Sequence, residues 1–401
     1  MNKALITGLL LFSLVVIVGS VLYQQHDIRS EGWRREGGDA SLMKGSVFPG
    51  KKVKSYTVIA NGGGRVDWSK ANNRIYFDKK NAEGYYDIYW MNPDGSNETC
   101  ISCSFRTEND YHIGNPAVDP TGSYILYQEE DRNLNPIGTN LPSTAGQYAT
   151  SPGVGLNNNI WIMTIDGQQR WQVTEVGNYE GVLHPKFNQD GTGILWSHMT
   201  GNNMNTGMRR TGEWEMRTAS LHRATDRQTG PVNLNTIQVL KPDNHQLYET
   251  HGYINNDSIL FSYVPRDGYY ENMEIGVYDP QTQQVTQLTE NLEWDEHAHL
   301  SPAGNTMVWV SSDGTSSLPT SLNLTNLSRV ELEMWRMNAD GTGKERLTYF
   351  NQRRTPEFMR QKIVVGDNSW SPEGDRVAAY VFTGKKHSND PYAEAVVILD
   401  F

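Results

Sequence analysis

Four of the ten histidines in this 401-residue chain, His184, His251, His297 and His299, fall on segments that alternate apolar and polar residues as β-strands do. In Glu296-His297-Ala298-His299 the two imidazoles are two residues apart, so an extended strand points both to one side. Imidazoles beside carboxylates such as Glu249, Asp295 and Glu296 make a donor set for a divalent transition metal, manganese, iron or zinc, with His251, His297 and His299 as the expected ligands. Cys100 and Cys103 have C-x-x-C spacing, open to a redox pair, half a metal site or a local disulfide. No βαβ pattern surrounds them, and a structural disulfide at a strand end is the expected outcome. The chain has no Gly-x-Ser-x-Gly elbow, no phosphate loop and no complete calcium-loop spacing among its Asp-Gly turns.

The elements that must position these residues come from a repeat. An apolar strand, a short turn and a second apolar strand recur at Val66–Phe77, Pro116–Tyr127, Pro185–Trp196, Tyr253–Phe261, Leu300–Trp309 and Trp370–Tyr380. Asn72, Gly122, Gly191, Asn256, Gly304 and Gly374 hold the turns, 48 to 70 residues apart, and Gly or Asn there implies positive φ. Each copy is followed by a second hairpin signal, with Asp94-Gly95, Asp166-Gly167 and Asp340-Gly341 as full turns. Three of these hairpins end in a Thr-marked strand, at Thr174, Thr289 and Thr348. Four strands per unit and six units predict an all-β, six-bladed β-propeller over residues 54–401. Lys54–Ala60 precedes the first copy, and Ala395–Phe401 leaves the last blade one strand short. The two are expected to pair and close the ring.

The Ser371-Pro372-Glu373-Gly374 turn, and Asn338-Ala339-Asp340-Gly341 with Arg346-Leu347-Thr348, resemble the repeats of TolB-like β-propellers. That resemblance covers about residues 54 to 401 and implies a propeller of the kind found in exported proteins. The histidine cluster distantly resembles the metal site of oligogalacturonide lyases. That second likeness implies manganese held against a uronate carboxylate, with a neighbouring base such as His184 removing the proton from the adjacent carbon.

Counting four residues back from each first turn yields six polar residues: Arg65, Asn115, His184, Glu249, His297 and Asp367. They should line the channel mouth, either hydrating its wall or binding a ligand. The long connections Glu129–Asn158, Met199–Thr211, Ser312–Arg329 and Thr383–Tyr392 should share that face, and connections of such length are commonly functional. Trp68, Trp90, Trp161, Trp196, Trp309, Trp335 and Trp370 are expected to pack between blades rather than to serve as sugar platforms.

Residues 4–22 are uncharged and apolar behind Lys3, reading as a signal peptide or a membrane anchor, and 23–53 read as a polar tether. The chain is therefore expected to be exported: periplasmic, at the cell surface, or anchored by residues 4–22. Membrane contact is expected only through that segment. With 35 Lys and Arg against 46 Asp and Glu, the net charge of -11 excludes a broad nucleic-acid-binding surface. The expected role is a binding module for a protein or peptide at the cell envelope, with no obligatory cofactor. The alternative is a metal-dependent enzyme built on the same mouth.

Overall fold

The computed structural model describes residues 44–46, 53–134, 147–200, 213–222, 233–245, 247–254, 257–265, 272–315, 330–355, 357–358, 362–384 and 393–401. The apolar segment 4–22, most of 23–53 and the larger part of the four long connections lie outside these residues. No helix among the described residues is long and apolar enough to cross a membrane.

The strands form six antiparallel sheets, each with its four strands hydrogen-bonded in order. The inner strands are Val66–Trp68, Ile113–Val118, Glu180–Phe187, Leu247–Ile254, Asp295–Leu300 and Lys362–Trp370, the first strands of blades 1 to 6. Each touches its neighbours on both sides, and the last touches the first, so the inner strands close a ring. In blade 6 the fourth strand is Ser55–Asn61, which pairs antiparallel with Ala393–Asp400 from Ser55 opposite Asp400 to Asn61 opposite Ala395. The expected closure is thus present. Lys44–Ser46, inside the stretch read as a tether, pairs outside Ser55–Asn61 as a fifth strand.

The core lies between blades rather than at the axis. Each of the six blade-to-blade contacts holds its own apolar cluster, for example Trp68, Phe77, Ala378 and Val396 between blades 1 and 6. Trp68, Trp196, Trp309 and Trp370 are buried there. Trp90, Trp161 and Trp335 are half-buried at the rims, the first two lying under the guanidinium groups of Arg74 and Arg170.

The first turns have positive φ at Gly122, Gly191, Gly304 and Gly374, as the repeat requires. In blade 1 the left-handed residue is Asn73, one position after Asn72, whose side chain instead accepts from the Arg74 amide and donates to Tyr76. Asn256 lies outside the described residues.

A hydroxyl fastens the corner where the fourth strand ends. Thr174, Thr289 and Thr348 each accept a hydrogen bond through Oγ1 from a third-strand amide, of Ile160, Ile275 and Met334, at 2.7, 2.8 and 2.9 Å. In blade 1, Ser102 accepts from the Ile88 amide at 3.0 Å in the same way. Thr348 also donates to Glu333 Oε2 at 2.5 Å, so a Thr348→Val variant leaves the buried Met334 amide unmatched and takes one donor from the buried Glu333 carboxylate. Urea denaturation should register a loss of about 1–3 kcal/mol for it. A cost within error of zero would show the hydroxyl to be dispensable.

Candidate metal and ligand site at the channel mouth

Five inner strands share one irregularity, an extra residue near the middle. The register shifts lie between Gly114 and Ala117, Leu183 and Lys186, Thr250 and Gly252, Glu296 and His299, and Val365 and Asn368. Three bulges place a non-glycine residue in the left-handed region: Asn115, His184 and His297, with φ of 54, 48 and 53°. A bulge re-aims the side chain it carries and is common beside functional sites. Here the bulges of blades 2, 3, 5 and 6 hold Asn115, His184, His297 and Asp367, four of the six polar residues counted from the repeat.

Those side chains meet. His184 Nδ1 and His297 Nδ1 each lie 3.6 Å from Asp367 Oδ1, and His184 Nε2 lies 4.0 Å from Glu249 Oε1. Asn115 Nδ2 is 3.4 Å from His184 Nδ1 and donates to Gln128 Oε1 at 2.6 Å. On the far side, Arg65 forks onto Asp78 through Nε and Nη2 at 2.6 and 2.9 Å. Asp78 also accepts from the Asn115 amide at 2.8 Å. A Cβ on Gly64 or Gly114 would sit 2.2 or 2.6 Å from an Asp78 oxygen, so glycine is needed at both for the carboxylate to fit. All six residues counted from the repeat therefore gather at one mouth. The connection between the second and third strands of blade 2 covers part of it, with Pro152 O accepting from Gln128 Nε2 and Gly153 close to Arg65 Nη1.

The expected metal trio fares differently. Donor atoms of His184, Glu249 and His297 all lie within 4.8 Å of one another, so of the expected ligands His251, His297 and His299 only His297 belongs to the converging set. His251 Nε2 is engaged by Ser262 Oγ at 2.6 Å, and His299 Nδ1 by Asn368 Oδ1 at 3.1 Å. The two rings stand just outside the triad, His251 with its centroid 6.1 Å from that of His297. By register, Gly252 rather than His251 occupies the position of His299, because both face the residue before the central aromatic of the second strand, Leu260 and Val308.

Burial sets the protonation states. It lowers His184 to about 3, opposed by the Asp367 charge, and lowers His299 to about 3 with Lys186 adding to the effect. Burial also lowers His251, reinforced by the neighbouring imidazoles. Burial raises the Glu249 carboxyl well above its ordinary range, and the nearby Glu296 and Asp367 charges add to this. Asp367 is held low despite its burial, because His297, His184, Arg65 and Lys186 surround it. The mouth thus presents the neutral imidazoles of His184, His251 and His299 beside the raised carboxyl group of Glu249. Glu249 Oε2 and His297 Nδ1 are buried with no hydrogen-bond partner.

Sequence reasoning missed Asp78 and Lys186. Lys186 stands where His299 stands in its own blade, opposite Leu195 as His299 is opposite Val308. A period of two along the inner strand from His184 would have flagged it. Asp78 follows the second-strand run Ile75-Tyr76-Phe77, and a carboxylate ending an apolar strand was the signal available.

Comparison with known proteins places the fold. TolB from Acinetobacter baumannii is similar over 83% of this chain, at 14% identity and a TM-score of 0.50, and the chain spans 65% of that protein's length. An oligogalacturonate lyase in complex with manganese matches 92% of this chain and 98% of its own, at 10% identity and a TM-score of 0.49. An oligogalacturonate lyase from Vibrio parahaemolyticus matches 91% of this chain and 98% of its own, at 11% identity and a TM-score of 0.47. No family model matches the sequence. No curated protein matches it either. The chain is a TolB-like β-propeller in fold, and its role is argued from the site.

Proposed function

We propose that this propeller is an exported binding module whose mouth holds a divalent transition metal ion through His184, Glu249 and His297, and takes an acidic group of its ligand. The observation that carries this reading is the convergence of two imidazoles and a carboxylate within 4.8 Å, with Glu249 Oε2 and His297 Nδ1 buried and unmatched. An unpaired buried carboxylate costs stability unless a cation meets it, and neutral imidazole suits zinc, iron or manganese. The bound ion would keep positions open toward the mouth. Lys186 adds positive charge there for an anionic ligand, whether a small carboxylate or an acidic residue of an envelope protein.

Export is read from residues 4–22 and is supported by the disulfide between Cys100 and Cys103. An enzymatic reading has one feature in its favour. With His184 committed as a ligand, His251 is the neutral imidazole beside the triad and so the available base.

The test is calorimetric titration of chelator-treated protein with manganese and with zinc. One equivalent should bind to wild type, with binding lost in Glu249→Gln and in His297→Ala. Binding should strengthen as pH rises, since Glu249 must surrender its proton to ligate. Undiminished binding in both variants would end the proposal. Adding an oligouronate and following unsaturated product would separate a metalloenzyme from a binding module.

A further inference from the structure

The geometry points to a second site on the outer rim of blade 1: we infer that Cys100–Cys103 is a thiol–disulfide exchange site rather than a staple, accepting a low-molecular-weight thiol at Cys103.

The two sulfurs are joined in a loop that spans four residues. A cross-link so short removes little freedom from an unfolded chain. Nor does the corner need it. Ile101 N donates to Ile88 O at 2.8 Å, and Ser102 Oγ accepts from Ile88 N at 3.0 Å while donating to Asp87 Oδ1 at 2.6 Å. The same corner in blades 2, 4 and 5 uses the same bonds: Val173, Leu288 and Leu347 amides donate to Ile160, Ile275 and Met334 carbonyls, and Thr174, Thr289 and Thr348 supply the hydroxyl. None of those three corners has a disulfide. Cys100 stands where Gln172, Gln287 and Arg346 stand, and Cys103 where Glu175, Glu290 and Tyr349 stand, the positions flanking the fastened pair. The cysteines therefore occupy sites that the fold leaves to other uses.

Their environments differ in the way exchange requires. Cys103 is exposed, whereas Cys100 is half-buried, and its Sγ accepts a hydrogen bond from the Cys103 amide at 3.2 Å with Ser102 Oγ at 3.9 Å. Asp87, the nearby carboxylate, is neutralised by Arg106 Nε at 2.6 Å. An incoming thiolate attacks Cys103 Sγ, its new S–S bond forms as the Cys100–Cys103 bond breaks, and Cys100 departs as a thiolate received by the amide. A second thiolate on the mixed disulfide releases the oxidised small thiol and leaves both cysteines reduced. Without a second thiol, the Cys100 thiolate expels the first and recloses the ring, because Ile101 and Ser102 hold the sulfurs adjacent throughout.

Folded full-length protein is incubated with reduced glutathione, quenched in acid and mapped by peptide mass spectrometry, with intrinsic tryptophan fluorescence recorded in parallel. The expected result is adduct on Cys103 exceeding that on Cys100 by about tenfold, with unchanged fluorescence. A Cys100→Ser variant, which cannot reclose, should accumulate the Cys103 adduct to completion with oxidised glutathione. Adduct chiefly on Cys100, or a native pair inert while the urea-unfolded chain reacts, would overturn the assignment. So would loss of the folded fluorescence on reduction, which would show the bond to be a staple after all.

Discussion

Asp78→Ala should cost the protein about 3–5 kcal/mol of unfolding free energy, the range for a buried charge stripped of its partner. Arg65 is only 7% exposed, and Asp78 is fully buried. The carboxylate receives Nε and Nη2 of Arg65, the Arg65 amide at 3.1 Å and the Asn115 amide at 2.8 Å, so alanine orphans two backbone donors as well as the guanidinium. Burial pushes the Asp78 carboxyl up, and the Arg65 charge opposes that push. Gly64 and Gly114 crowd the site, which limits collapse into the vacated space and adds to the penalty. Asp78→Asn keeps the shape and should cost less. Arg65→Met combined with Asp78→Leu should recover part of the loss, since two apolar groups replace an ion pair at small cost. A urea midpoint for Asp78→Ala within about 1 kcal/mol of wild type would show that water reaches Arg65.

The ring was legible because its signals are local. Each first turn calls for a Gly or Asn and three of the second hairpins carry an Asp-Gly, so six copies could be counted, and a missing strand at one end with a spare at the other implied closure. What stayed illegible depends on pairing. The bulges at Asn115, His184 and His297 exist only relative to the second strand of each blade, and no single-strand pattern shows which residue is extra. For that reason the positions four before each turn could be counted, whereas the difference in register between His251 and His299 could not be read. In blade 4 the shift leaves one residue, His251, between the paired Thr250 and Gly252, whereas blades 3 and 5 leave two. For the same reason the sequence does not show Glu249 and Glu296 to be equivalents, although both lie opposite the residue after the central aromatic of the second strand, Ser262 and Val310. Asn73 in place of Asn72 is a smaller error of the same origin. The role of Ser102 escaped because serine replaced the threonine that marks the other corners.

Acid should unfold the metal-free protein abruptly below about pH 4.5 after a shallow decline, rather than at one constant rate from pH 6.5. Among the described residues burial lowers six histidines: His112, His184, His198 and His299 to about 3, and His245 and His251 in the same direction. Each stays neutral in the fold while its unfolded counterpart takes a proton below pH 6.5, so each removes stability as pH falls, by about 1.4 kcal/mol per unit. Burial also raises the carboxyls of Glu130 and Glu274 to about 7, of Asp295 to about 6, and of Glu249 upward. Their folded forms hold protons that the unfolded chain releases above its ordinary carboxylate range, so each adds stability as pH falls toward 4.5. Between about 4.5 and 6.5 the carboxyls offset part of what the histidines remove, so the decline there is shallow. Below 4.5 the unfolded carboxyls are protonated as well, their contribution stops changing, and the histidines act unopposed. Asp367, held low, then loses its stabilising charge too, which has the same sign. The combined slope is on the order of 5 kcal/mol per pH unit or more, comparable to a domain's whole stability. Urea midpoints measured in chelator from pH 7 to pH 4 should therefore decline gently to about pH 4.5 and then fall within about one unit. A decline at one constant rate from pH 6.5 would mean that the buried carboxyls are not holding their protons, and Glu249 would then need another explanation for its unmatched oxygen.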